Sequence, residues 1–176
     1  MRHNALSLLT ILQTDIIIQK PGFFNQNIFH GKRILLFSFV FWGYSMFKSP
    51  IFKGSCTAIV TPFDDFGIDY ERMSQLIEFQ YENGTAAIVV CGTTGENATL
   101  TQYEHEALVD YVCRKTDSRM KVIAGVGSNY TEKALHFAKA AVHSGADGIL
   151  MVTPYYNKTT QKGLYEHFTY VADRVD

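Results

Sequence analysis

The chain has 176 residues, of which 47% are hydrophobic and 19% are charged. This length is enough for one domain with a buried core, and the composition excludes an intrinsically disordered protein. The formal net charge of −1 gives no reason to expect a nucleic acid or a membrane as a partner.

The first 45 residues differ in composition from the rest of the chain. An apolar run over 34–47 follows the basic pair Lys32 and Arg33 and shows neither a helical nor a strand period. It is shorter than the roughly 18 to 20 residues of a signal anchor, and the residues around Met46 are a poor signal-peptide cleavage site. A third interpretation, which we favour, is a translation start assigned too early. We therefore predict that residues 1–45 are an extension outside the fold and that residues 46–176 form the domain.

From residue 51 onward, continuous apolar runs alternate with segments of helical period. Runs without polar alternation are typical of parallel strands buried on both faces, and we predict such strands over 55–60, 86–91, 121–126 and 147–152. Asp69 is the expected N-cap of the first helix, and Thr101 with Glu104 forms a capping box before the second. Thr131 opens the third helix, and a fourth extends from Leu164.

Four strand–helix units in series allow either a barrel or a doubly wound sheet. A dinucleotide-binding sheet would need G-x-G-x-x-G after its first strand, where this chain has Thr61, Pro62 and Phe63; the glycines at 125 and 127 are too short a match to count. From Met46 the chain is about half the roughly 250 residues of a (β/α)8 barrel. We predict an α/β fold, a TIM barrel truncated to about its first four βα units, with open sheet edges at its first and fourth strands.

The ends of the predicted strands carry small and hydroxyl-bearing residues and no metal-ligand cluster. Histidines in the predicted helices are expected to be partly exposed surface residues, namely His105, His136, His143 and His167. The three cysteines form no C-x-x-C pair, which indicates a reduced, cytoplasmic protein. We therefore predict neither a metal site nor a disulfide.

The sequence GTTGE at 92–96 is the most informative of these strand ends. Two glycines permit a tight turn, and consecutive N–H groups with two hydroxyls suit a small carboxylate. A plain strand-to-helix loop with threonine caps explains the spacing equally well.

Three motifs in chain order decide between these interpretations: TPF at 61–63, GTTGE at 92–96 and VTPYYNK at 152–158. Together they resemble the dihydrodipicolinate synthase (4-hydroxy-tetrahydrodipicolinate synthase) family, from about residue 51 to the end. The resemblance implies a class I aldolase-type lyase that condenses pyruvate with aspartate-4-semialdehyde in lysine and diaminopimelate biosynthesis. It implies no cofactor, because pyruvate forms an imine on a lysine of the sixth strand, outside this chain, and it implies a homotetramer or homodimer at full length.

The family's site residues map onto several positions of this chain. Thr94 matches the residue that binds the pyruvate carboxylate. Thr93 and Tyr156 match two catalytic members of a proton relay, whose third hydroxyl lies beyond these residues; hydroxyls both donate and accept, as a relay requires. Tyr156 also matches a tyrosine that extends into the neighbouring subunit's site.

The lysine feedback site of sensitive members matches six positions of this chain. They are Ala98, Gln102, His105, Asn129, Lys133 and Tyr155. Gln102 replaces a histidine, and Lys133 replaces a glutamate that would meet the effector's ammonium. A lysine at that position repels the effector by like charge, so we predict insensitivity to lysine.

Two alternatives remain open. A sibling pyruvate aldolase, such as N-acetylneuraminate lyase or a keto-deoxy-sugar-acid aldolase, shares the barrel and the imine chemistry, but it tends to have serine at Thr93 and to lack the Tyr-Tyr-Asn strand end. An inactive half-barrel is the other. Lys158, the one lysine near a strand end, falls in an open loop without the desolvation that activates a Schiff-base lysine. We therefore expect the 176-residue chain alone to be inactive.

Overall fold

The computed structural model describes residues 15–19, 34–36 and 51–175. The elements in chain order are β1 (Asp15–Gln19), β2 (Ile34–Leu36), β3 (Cys56–Ala58), β4 (Phe63–Asp64), β5 (Gly67–Ile68), α1 (Tyr70–Glu82), β6 (Ala87–Val90), α2 (Gln102–Thr116), β7 (Lys121–Gly125), α3 (Thr131–His143), β8 (Gly148–Val152) and α4 (Gln161–Ala172).

Four parallel strands form the centre of the molecule. Strand β3 pairs with β6, β6 with β7 and β7 with β8, so that neighbours in the sheet follow the order of the chain. A helix follows each of the four strands. The predicted alternation of buried parallel strands and helices is confirmed, and the carboxyl ends of all four strands lie at one edge of the sheet.

The helix starts follow the predicted capping chemistry. The Asp69 side chain accepts a hydrogen bond from the N–H of Arg72 at the start of α1. Thr101 and Glu104 make both bonds of the capping box at α2. Helix α3 starts at Thr131 as predicted, but its N-cap residue makes no side-chain bond. Each satisfied cap contributes about 1 kcal/mol, which fixes where these helices begin relative to the strand ends.

The core lies between the sheet and its helices. Met73 and Ile77 of α1, Leu108 of α2 and Phe137 of α3 are fully buried there, and Met151 of β8 meets them from the sheet. Burying a side chain of this size is worth about 1.5–3 kcal/mol. The strands are therefore held firmly from the helical side, and the loops at their carboxyl ends start from a rigid base.

Two histidines differ from the sequence expectation. His105 is 1% exposed and His167 is 6% exposed, whereas the sequence predicts partly exposed surface side chains. The prediction is wrong because each ring has a polar partner inside the protein. His105 is bonded to the carbonyl of Gly125, and His167 to the hydroxyl of Thr131. The short hairpin β4–β5, between β3 and α1, is a further element that the sequence did not predict.

The edge of the fourth parallel strand is paired in the structure. Strand β1 runs antiparallel to β8 over five residue pairs, and β2 runs antiparallel to β1. The prediction of an open edge at β8 is therefore wrong. The backbone N–H and C=O groups along an unpaired edge readily bond to another strand, and here β1 supplies that strand. The expectation that residues 1–45 lie outside the fold differs from the structure at these two segments. The rest of that stretch, including most of the apolar run over 34–47, lies outside the described residues.

Within the described ranges, strand β3 has a single neighbour, β6. None of the helices described is both long and apolar enough to span a bilayer.

Candidate active site

A cavity of about 400 Å³ opens where strands β6, β7 and β8 end. Gly125 and Val152 contribute its strand-end walls, while Thr93, Asn97 and Tyr155 bring polar groups from the loops. A volume of this size suits a small molecule.

Residues 92–96, here called the threonine loop, fold into two overlapping turns after β6. The N–H of Gly95 donates to the carbonyl of Gly92 at 3.0 Å, and the N–H of Glu96 donates to the carbonyl of Thr93 at 3.1 Å. Thr94 lies in the middle of both turns. Within the described part of the chain, the N–H and hydroxyl groups of Thr93 and Thr94 donate to no acceptor. The loop thus presents unpaired donors from two exposed residues, as a small carboxylate requires.

The threonine loop rests on strand β7 through a backbone contact. A Cβ placed on Gly125 would lie 2.6 Å from the carbonyl carbon of Cys91 and closer still to its oxygen, so that only glycine fits. Cys91 is fully buried with φ of 53°, and burial raises the pKa of its thiol to about 12. This thiol is therefore a packed side chain and not a nucleophile.

The side chain of His105 is hydrogen-bonded to the same end of strand β7. Its Nε2 lies 2.8 Å from the carbonyl oxygen of Gly125, and because a carbonyl only accepts, Nε2 carries the proton. Burial lowers the pKa of this imidazole below its ordinary value. The ring stacks on Phe137 with a centroid distance of 3.8 Å, which connects helices α2 and α3 beneath the cavity.

Asn97 ties the loops of β6 and β7 together. Its Nδ2 donates to the carbonyl of Gly127 at 3.2 Å, and its Oδ1 is buried without a partner among the described residues. Asn97 lines the cavity, and sequence reasoning assigned it no role.

Two tyrosines follow the fourth parallel strand, β8, and their side chains lie in different places. Tyr155 lines the cavity, whereas Tyr156 is 99% exposed and has φ of 69°. Asn157 ties their loop to its neighbour, since its Nδ2 donates to the carbonyl of Asn129 at 2.8 Å. The structure therefore brings Thr93 and Tyr155 to one cavity, while Thr94 and Tyr156 are outside its lining.

The remaining positions matched to the lysine feedback site lie around this cavity or on helices α2 and α3. Ala98 lines the cavity. Gln102 is exposed, with its Nε2 2.9 Å from Nε2 of His136. Lys133 is half-buried, and its Nζ lies 5.2 Å from the centroid of the Phe137 ring on which His105 stacks. His105 and Lys133 are thus neighbours through one aromatic ring.

Comparison with known proteins adds to this geometry. The sequence profile of the dihydrodipicolinate synthetase family matches residues 51–176. The chain belongs to this family. It is 53% identical over 126 residues to the 4-hydroxy-tetrahydrodipicolinate synthase of Aquifex aeolicus, covering 72% of this chain and 43% of that protein. It is 51% identical over 128 residues to that of Acetivibrio thermocellus, covering 73% and 44%.

Solved structures of the family match the fold as well as the sequence. The crystal structure of dihydrodipicolinate synthase from Aquifex aeolicus superposes with a TM-score of 0.70 at 54% identity, over 71% of this chain and 43% of that one. The enzyme of Cyanidioschyzon merolae, solved with lysine bound, gives 0.68 at 42% identity, over 72% and 43%. These relatives are TIM barrels, so the predicted fold class is confirmed, and the chain spans less than half of their length.

Proposed function

We propose that these residues form part of the active site of a 4-hydroxy-tetrahydrodipicolinate synthase, which condenses pyruvate with aspartate-4-semialdehyde in lysine and diaminopimelate biosynthesis. The observation that carries the proposal is the threonine loop, which presents the unpaired donors of Thr93 and Thr94 beside a cavity of about 400 Å³. Membership of the family supports the same reaction.

Each exposed hydroxyl has a role in this proposal. Thr94 binds the carboxylate of pyruvate through its N–H and hydroxyl groups. Thr93, together with the Tyr156 that a second subunit contributes, passes protons between the carbonyl oxygen of pyruvate and the reacting amine, because each hydroxyl both accepts and donates. The amine is that of a lysine outside these residues, and forming an imine on it gives the electron sink that the condensation needs.

Tyr156 carries the proposal of a subunit contribution. Its side chain extends into solvent, and a non-glycine residue at positive φ costs of order 1 kcal/mol, which proteins tolerate chiefly at functional sites. We propose that this phenol completes the site of a second subunit in a homotetramer or homodimer.

Kinetics on the full-length protein test the proposal. We expect turnover of pyruvate with aspartate-4-semialdehyde, and we expect Thr94→Val to raise KM for pyruvate more than it lowers kcat. Thr169→Val is the matched control, since it removes a hydroxyl whose nearest acceptor is the carbonyl of Tyr165 on α4. A folded protein that condenses no pyruvate, or that instead cleaves N-acetylneuraminate, would contradict the proposal.

A chimaera isolates the contribution of the described residues. Residues 51–175 would replace the matching segment of the Aquifex aeolicus relative, which is 53% identical there. We expect the chimaera to trap labelled pyruvate when it is treated with borohydride and to lose this adduct with Thr93→Val and Thr94→Val together. A chimaera that melts cooperatively but traps no pyruvate would show that these residues do not serve the reaction.

A further inference from the structure

Thr61 connects the end of strand β3 to the threonine loop. Its side chain is buried, with 5% exposed, and its hydroxyl donates to the carbonyl of Gly95 at 2.7 Å. The two residues are 34 positions apart, so the bond crosses from one strand end to the loop of the neighbouring strand. Neither group is charged, so this contact depends on the Thr61 hydroxyl alone.

The bond fixes one particular peptide group. The peptide between Gly95 and Glu96 is held at its oxygen by Thr61 and at its N–H by the carbonyl of Thr93. This peptide closes the turn in which Thr94 is a central residue. If the Thr61 hydroxyl were absent, a buried carbonyl would lose its partner and the peptide could rotate, carrying the N–H and hydroxyl of Thr94 with it.

We propose that Thr61 is a positioning residue for carboxylate binding: it acts through the Gly95 carbonyl to hold the threonine loop in the shape that binds pyruvate. The proposal deepens the proposed function and rests on it. Thr61 does not line the cavity, so it acts on the substrate only through the loop.

Substitutions at Thr61 in the full-length protein separate the hydroxyl from the packing. Thr61→Val keeps the shape and removes the donor, whereas Thr61→Ser keeps the donor. We expect Thr61→Val to raise KM for pyruvate about tenfold, with kcat within about threefold and KM for the aldehyde within about twofold. Thr61→Ser is expected to restore a KM within about twofold of the unmodified protein. Thr61→Ala, whose smaller side chain cannot clash, must show the same rise and serves if the valine variant does not fold.

Thr85 provides the matched control. Its buried hydroxyl donates to Oε1 of Gln80 at 2.7 Å, close to where strand β6 begins, away from the cavity. Thr85→Val is expected to lower the melting temperature and to leave KM for pyruvate unchanged. If Thr61→Val behaves like Thr85→Val, or if Thr61→Ser raises KM as much as Thr61→Val, the positioning role is refuted. If the unmodified protein condenses no pyruvate, the proposed function fails instead.

Discussion

Replacing Gly125 with alanine tests the close backbone contact beneath the threonine loop. The added Cβ would lie 2.6 Å from the carbonyl carbon of Cys91 and 2.8 Å from the amide nitrogen of Gly92. Ordinary contacts between carbon atoms are about 3.5–4.0 Å, so one backbone must move by nearly an ångström. Strand β7 is paired on both sides and cannot yield easily, which leaves the threonine loop to move.

Overpacking of this kind costs about 1–3 kcal/mol, and we expect about 3 kcal/mol here because backbone lies on both sides of the contact. For a domain of this size, that corresponds to a melting temperature lower by roughly 10 °C. Urea denaturation followed by circular dichroism measures the change, provided that the slope of the transition is unaltered.

Gly145→Ala is the control for a glycine that is needed for conformation alone. Gly145 has φ of 94°, and no atom lies within 4 Å of the position that its added Cβ would take, so the cost is that of the backbone angle, about 1–2 kcal/mol. The close contact between β7 and the threonine loop would be refuted if the two substitutions lowered the free energy of unfolding equally, or if Gly125→Ala left it unchanged.

Two further predictions concern the charge at Lys133 and the buried histidines. The full-length protein is expected to resist lysine up to about a millimolar, because two unit charges about 4 Å apart near a surface repel by roughly 4 kcal/mol and about 1.4 kcal/mol is already tenfold in affinity. Lys133→Glu should create inhibition, and an inhibition curve of the unmodified protein with its midpoint below about a millimolar would contradict this. Burial lowers the pKa of His105 and of His167, so the unfolded chain binds protons that the folded chain does not. The free energy of unfolding is therefore highest above about pH 6.5 and falls as the pH drops below that value. Urea midpoints at about pH 7.5 and 5.5 measure the fall, and equal midpoints would contradict the prediction.

Local patterns were enough to predict the repeating architecture. Continuous apolar runs such as 86–91 identify strands that are covered on both sides, and side chains such as Asp69 and Thr101 cap helices through bonds to residues three positions away. These signals lie within a few residues of one another, so the chain reveals them without tertiary information. The buried environment of His105 could not be predicted in this way, because its partner Gly125 is 20 positions away on another element.

The same distinction between local and long-range contacts applies to the candidate site. The two glycines of residues 92–96 predicted a tight turn, and the overlapping turns of the threonine loop are as local as that prediction. The contacts that hold it are not local. Thr61 donates to it across 34 positions, and Asn97 bonds across 30 positions to Gly127. The glycines at 125 and 127 form too short a motif to indicate a role from sequence, although a Cβ on either one would strike neighbouring backbone.

The different surroundings of the cysteines have a practical consequence for labelling. Cys56 is exposed on strand β3, and partial burial of its thiol raises its pKa, whereas Cys91 is buried with its pKa raised to about 12. A maleimide at mildly alkaline pH should modify Cys56 long before Cys91, since the thiolate is the reactive form. The modified residue would lie on the side of the sheet where β3 has no described neighbour beyond β6. The rate of labelling at Cys56 then becomes a direct reporter of whether another strand has joined the sheet at that edge.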